Sequence, residues 1–246
     1  MKFTLLGTSG YHPTDRRQTA CFMLPEIGVV LDAGTAMYRV RDCLQTPTLD
    51  IFLTHAHLDH VIGLTYLFDV LYQKSVQRVR VHGEAATLAI VQQHLFAPGL
   101  FPAIPPIDWQ PLWGPVPLPQ DGRLSHFPVE HPGGASGFRL DWPDRSLAYV
   151  TDTTAKVGAD YVERIAGVDV LVHECYFTDG WEPWAEKTGH SCLTAVAQVA
   201  AAAKVGRLVL VHVNPLAVAE DPLPLPAAQS IFAKIEIGYD GQTLEF

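Results

Sequence analysis

Residues 55–60 read His-Ala-His-Leu-Asp-His, three histidines and one aspartate within six positions. Imidazole and carboxylate are ligands for zinc, with manganese and iron as alternatives. A lone histidine would read as a surface residue, but four donors at this spacing do not. The apolar run before them, "DIFLT", predicts a strand, with a helix opening near His60. His55 and His57 alternate on the extended strand end and can face one metal. Asp59 and His60 follow on the turn and can reach a second.

Three further donors each end an apolar run and precede a loop, where functional groups usually emerge. His131 ends "FPVEH", Asp152 ends "LAYVTD" and His212 ends "RLVLVH". Singly each is weak evidence. Together they complete two metal sites: His55, His57 and His131 for one, Asp59, His60 and His212 for the other, bridged by Asp152. Two divalent ions are expected, zinc first and manganese as the alternative.

This order of residues resembles the metallo-β-lactamase superfamily, on "HAHLDH", His131, Asp152, His212 and the upstream "LDAGT". The resemblance implies an α/β fold, an αββα sandwich of two mixed sheets packed face to face with helices outside and metals at one edge. Asp152 stands where the commonest zinc β-lactamases carry cysteine, which argues against antibiotic hydrolysis. The stretches "GTSGYHP", "YVTDT", "HECYF", "GHS" and "LVLVHVNP" resemble the ribonuclease Z branch, a group of phosphodiesterases. That branch places the histidine of its HS motif by the scissile phosphate and orients it with the glutamate of its HE motif. The roles carry over to His190 and Glu174. The bland alternatives are a helix start capped by Ser191, and a solvated glutamate at a strand end.

The chemistry suits a phosphodiester. Such a group is already negative and resists hydroxide; two cations about 3.5–4 Å apart neutralise it, clamp both reacting oxygens and acidify a bound water toward pKa about 7. A poor alkoxide leaving group also needs a proton, which His190 held by Glu174 can give. Asp59 can orient the attacking water or take its proton. A lactonase or thioester hydrolase on the same fold, and a transfer RNA 3′-processing endoribonuclease, are the alternatives.

The ribonuclease Z arm that grips transfer RNA is inserted, in many members, between the counterparts of His131 and Asp152. Here only 20 residues lie between them. Armless relatives include the phosphoribosyl cyclic phosphodiesterase, which "RRQ" at 16–18 and the closing "IGYDGQTLEF" resemble; its cysteine-built structural zinc site has no counterpart. Arg16 and Arg17 are candidates to reach a phosphate, and Trp181 and Trp184 to stack on a base. Surface arginines and loop-pinning tryptophans are the alternatives.

Strands and helices must hold these residues in place. Strands are expected at "KFTLL", "LDIFLTH", "RVRVHG", "LSHFPVEH", "VDVLVHECYF" and "RLVLVHV". Hairpins are expected in "CFMLPEIGVVLDAG", in "GFRLDWPDRSLAYVTDT" and, turning at Asp-Gly, in the tail. Helices are expected at "VIGLTYLFDVLYQ", "AATLAIVQQHLF", "ADYVERIAG" and "CLTAVAQVAAAAKVG". Residues 97–119 hold eight of the 19 prolines, which excludes a helix or a central strand. They read as a surface loop, a lid or a subunit contact; 177–189 reads as a second loop.

The 246 residues are 48% hydrophobic and 17% charged, enough for a sizeable core. No linker divides them, so one domain over 1–246 is expected. Lys and Arg total 17 against 26 Asp and Glu, a net charge of −9. That disfavours long nucleic acid but leaves a small anionic substrate that meets only the field of the metals. No run reaches the roughly 20 apolar residues of a membrane span, and the start "MKFTLLGTSG", with one lysine and an early glycine, is not expected to act as a signal peptide. A cytoplasmic protein without a membrane partner, able to form a homodimer, is expected. Cys21, Cys43, Cys175 and Cys192 form no CxxC pair and read as buried thiols.

Overall fold

The structure is a computed structural model that describes residues 1–217 and 222–246. Its backbone forms two compact units, residues 1–113 with 239–245, and residues 114–238 with 246. The first unit holds β1 (Lys2–Gly7), β2 (Cys21–Leu24), β3 (Val29–Leu31), β4 (Thr48–Phe52), β5 (Arg78–Gly83) and β6 (Ile107–Pro111). The second holds β7 (Val116–Leu118), β8 (Gly122–Val129), β9 (Ala135–Trp142), β10 (Arg145–Val150), β11 (Val170–Glu174), β12 (Arg207–Val211) and β13 (Ile235–Ile237). The last strand, β14 (Gln242–Glu245), returns to the first unit.

Each unit is built on a mixed sheet of seven strands, ordered β14-β1-β2-β3-β4-β5-β6 and β13-β12-β11-β10-β9-β8-β7. In both, antiparallel pairing gives way to parallel: β3 to β6 in the first, β10 to β13 in the second. The residue pattern explains the difference. β11 (VLVHE) is buried throughout, as parallel strands are, whereas β8 alternates between buried and exposed positions. In the second unit, the helix Leu193–Ala202 is alanine-rich and buries Leu193, Val196, Ala197 and Ala200 at helical spacing. Those residues join Ala148, Leu171 and Leu208 in one core cluster. The first unit has its own core, around Met23, Val30, Ile51, Val81, Leu64 and Leu67.

Four expectations change. The tail is not a hairpin: β13 runs parallel to β12, while β14 runs antiparallel to β1 in the other sheet. Asp240 serves as an anchor instead of a hairpin-turn residue. Its carboxylate accepts from Thr8 N at 3.0 Å, Thr8 Oγ1 at 2.8 Å and Gln18 N at 2.7 Å, and pairs with Arg39 at 2.7 Å. Residues 97–119 are more than a loop, because they supply the edge strands β6 and β7. Pro111 and Pro117 sit on edges, where a missing N–H need not break the ladder. Of that stretch, Phe101 and Trp109 pack on the core, and Leu100 and Trp113 stay exposed.

Residues 177–189 contain a helix, Glu182–Thr188, with Pro183 in its first turn and Gly189 in the left-handed conformation at its end. The helix expected at 61–73 begins at Leu58 and is broken into Leu58–Val61, a 3₁₀ segment Ile62–Tyr66, and Leu67–Leu71. The Gly63 amide donates to Ala33 O at 2.7 Å instead of to a helical carbonyl, which interrupts the α ladder. Among the described residues no helix is long and apolar enough to cross a membrane.

Candidate metal centre

The first unit gathers its donors at the carboxyl end of β4. His57 is the extended N-cap of the helix that carries Asp59 and His60. The donor atoms of His55 and His57 lie within 4.8 Å of each other. His60 Nε2 lies 3.5 Å from Asp59 Oδ2. Behind them stands Asp32, fully buried at the end of β3 and in the left-handed region at φ 58°. It accepts from the Thr54 amide at 2.8 Å, from Thr54 Oγ1 at 3.0 Å and from His60 Nδ1–H at 2.8 Å. With its own proton spent on Asp32, Thr54 Oγ1 accepts from His55 Nδ1–H at 2.9 Å.

Tyr11 N donates to Asp59 Oδ2 at 2.8 Å from a left-handed backbone, φ 60°. Gly34 lets this region close: a Cβ there would stand 2.2 Å from the Asp59 carbonyl.

The second unit presents its donors at neighbouring strand ends. β10, β11 and β12 are parallel, with Val150 beside His173 and Glu174 beside Val211. Asp152, Glu174 and His212 therefore emerge side by side, the usual place for a site in a parallel sheet. Asp152 Oδ1 is 3.3 Å from His212 Nε2, and its Oδ2 is 3.8 Å from His131 Nε2. His212 takes φ 56° to turn there. His131 Nδ1–H donates to Gly189 O at 2.9 Å. Gly189 is needed, since a Cβ would stand 2.7 Å from His131 Nδ1.

Glu174 is fully buried, with Oε1 at 3.7 Å from His190 Nδ1. Burial raises its carboxyl pKa, and His190 opposes that shift. Behind the pair lies His173, whose Nδ1–H donates to Glu174 O at 2.7 Å and whose Nε2 accepts from Tyr161 at 3.1 Å. Burial pushes His173 down to about 4, so it is neutral.

The donor chemistry fits divalent cations. His55, His60 and His131 each spend Nδ1–H on a fixed acceptor, which leaves Nε2 as the donor lone pair, the outer support that metal-ligating histidines carry. Each unit also adds a carboxylate, Asp59 or Asp152. None of the donor clusters among the described residues contains a cysteine; Cys175 and Cys192 are buried free thiols.

Ser191 is not a helix cap. The N-cap is Cys192, without a side-chain bond, and Asp179 caps the helix by accepting from Thr194 N and Oγ1. Ser191 Oγ instead accepts from Ala155 N at 2.9 Å and donates to Thr153 O at 2.7 Å, clasping the loop after Asp152. Ser191→Ala would leave both groups unmatched. A loss of about 1–3 kcal/mol is expected in denaturant unfolding; a midpoint like the parent's would refute the clasp.

Arg17 is turned to structure, donating to Thr8 Oγ1 at 2.6 Å, while Arg16 is exposed. Trp181 stacks on Phe177 and Trp184 lies under Lys187. The sequence alone did not single out Thr54, the Tyr11 amide or Gly189 O. Of these only Thr54, next to His55, carried a local signal.

Residues 29–213, which include every donor above, match the beta-lactamase superfamily domain. The chain is 36% identical to ribonuclease Z of Prochlorococcus marinus (strain MIT 9313), covering 100% of this chain and 98% of that protein. That alignment spans 322 positions against 246 residues here, so the relative carries segments this chain lacks. The fold is similar to the metallo-beta-lactamase fold protein YhfI of Bacillus subtilis, with TM-score 0.82 at 18% identity over 99% of both chains. It is also similar to a diphosphatase from the PhnP family, with TM-score 0.75 at 20% identity over 100% and 97%. Its α/β architecture is theirs, and the chain belongs to the metallo-β-lactamase superfamily, in its ribonuclease Z-like branch.

Proposed function

We propose that this chain is a metal-dependent phosphodiester hydrolase for a small or cyclic phosphodiester or a short nucleotide, acting as one domain. The observation that carries this reading is the Glu174–His190 pair at 3.7 Å, beside Asp152 and His212. Expulsion of an alkoxide needs such an acid, whereas the thiolate of a thioester leaves without one. His55, His57 and His131 would hold one divalent cation, Asp59, His60 and His212 the other, and Asp152 both. When bound, the cations, zinc or manganese, supply Lewis acidity and an acidified attacking water. Asp59, steered by the Tyr11 amide, would orient an attacking water and take its proton. His190 protonates the leaving oxygen, while Glu174 fixes its ring.

Support for a small substrate comes from β9 and β10, which are joined by Pro143 and Asp144 alone, in the stretch where many ribonucleases Z insert an arm. The acidic net charge agrees. The 36% identity to a ribonuclease Z keeps transfer RNA 3′ processing as the second reading.

The test is hydrolysis of bis(p-nitrophenyl) phosphate and of a 2′,3′-cyclic nucleotide by protein stripped with chelator and reloaded with zinc or manganese. Turnover should vanish on stripping, return on reloading, and not return in Asp152→Ala. Metal uptake without phosphodiester cleavage would sink the reading and turn attention to lactones and thioesters. Efficient cleavage of precursor transfer RNA would favour the second.

A further inference from the structure

His190 sits within a stack of rings. Tyr176 lies over it at 4.9 Å between centroids and 20° between planes. His212 lies at 5.3 Å and 25°, and is itself 5.8 Å from Tyr176. Phe177 meets the imidazole nearer edge-on, at 6.4 Å and 60°. The backbone fixes the stack. Cys175 N donates to Val211 O at 2.9 Å and Phe177 N to Ser191 O at 3.0 Å. Tyr176 is thus held between two stitches, one to the neighbour of His212 and one to the neighbour of His190.

These contacts restrict the imidazole. A histidine ring turns about its χ2 bond by sweeping its faces, and near-parallel neighbouring rings block that sweep. The contact of Glu174 with Nδ1 then decides which ring edge points inward, which leaves Nε2 as the edge that meets a substrate.

We infer that Tyr176 is a positioning residue, whose ring holds His190 in the one plane from which it can protonate the leaving oxygen. This rests on His190 being the acid. The part used is the ring face, not the hydroxyl.

The experiment uses two substrates on the metal-loaded full chain. The p-nitrophenolate released from bis(p-nitrophenyl) phosphate leaves without a proton, whereas the ribose oxygen of a 2′,3′-cyclic nucleotide needs one. Tyr176→Leu should lower kcat on the cyclic nucleotide by about 10- to 100-fold, the scale of a misplaced catalytic group. KM should change little, and bis(p-nitrophenyl) phosphate should be nearly unaffected. Tyr176→Phe should behave as the parent. Tyr176→Leu in a His190→Ala background should add no further loss. Tyr176→Met, which fills the space without a ring face, repeats the test if Leu fails to fold.

Equal losses on both substrates, or a Phe variant as impaired as Leu, would overturn the inference alone, provided that His190→Ala is selective for the cyclic nucleotide. If His190→Ala is not selective, the acid reading falls and the inference with it.

Discussion

Asp32→Ala is expected to cost about 3–5 kcal/mol of stability, as removal of one partner from a buried charged network does. The same change should weaken metal binding by about 10- to 100-fold. Asp32 touches no proposed cation. It acts through the Thr54 amide, the Thr54 hydroxyl and His60 Nδ1–H, which all converge on one fully buried carboxylate. Through Thr54 the chain extends to His55 Nδ1, so one side chain sets the tautomer of two proposed ligands.

Asp32→Asn separates the two effects. Asparagine tolerates the left-handed backbone at φ 58°, and its one amide oxygen can still accept from both the Thr54 amide and hydroxyl, so most of the stability should survive. Its amide cannot hold His60 and Thr54 at once as a carboxylate does, so the weakened metal affinity should persist. Denaturant unfolding and calorimetric metal titration measure the two quantities. An Asn variant with parental affinity would show that the tautomer is not set from Asp32.

The strand ends that carry the proposed ligands were legible in sequence because each follows a short apolar run, and most of these runs end where parallel strands end; His131 instead follows the antiparallel β8. His55 to His60 after β4, Asp152 after β10 and His212 after β12 all fit that rule. What supports them was less legible, because it depends on contacts distant in sequence. Asp32 reaches His60 across 28 positions, and His131 reaches Gly189 across 58. The tail misled for a related reason: Asp-Gly between two β-rich runs encodes a local hairpin equally well. Only the edges of two different sheets, and the donors from Thr8, Gln18 and Arg39, send its strands apart. The helix at Glu182–Thr188 was hidden by two tryptophans and a proline, although proline suits a first turn and Gly189 marks its end. Ser191 looked like a cap from its place before a helix, and only the fold shows its hydroxyl turned to the loop after Asp152.

His190→Ala should lower kcat by about 10²- to 10⁴-fold on a substrate with an alkoxide leaving group, the range of a general acid. Glu174→Gln should cost less, within the about 0.5–3 kcal/mol typical of coupling between contacting residues. The physical point lies in the double variant. Glu174 is wholly buried, and its Oε1 stands 3.7 Å from His190 Nδ1, longer than a direct hydrogen bond. Burial raises its carboxyl pKa, and the His190 contact opposes that shift without cancelling it. The contact with His190 favours the carboxylate form of Glu174 against that burial, and the two side chains are expected to act as one unit. Adding Glu174→Gln to His190→Ala should change kcat no further, as residues that act as a unit are non-additive. Single-turnover rates on a 2′,3′-cyclic nucleotide, with metal content matched across the four proteins, close the cycle. Losses that multiply would mean that Glu174 acts on the substrate or on a cation directly, and its place would then be among the ligands at the end of β11 rather than behind the acid.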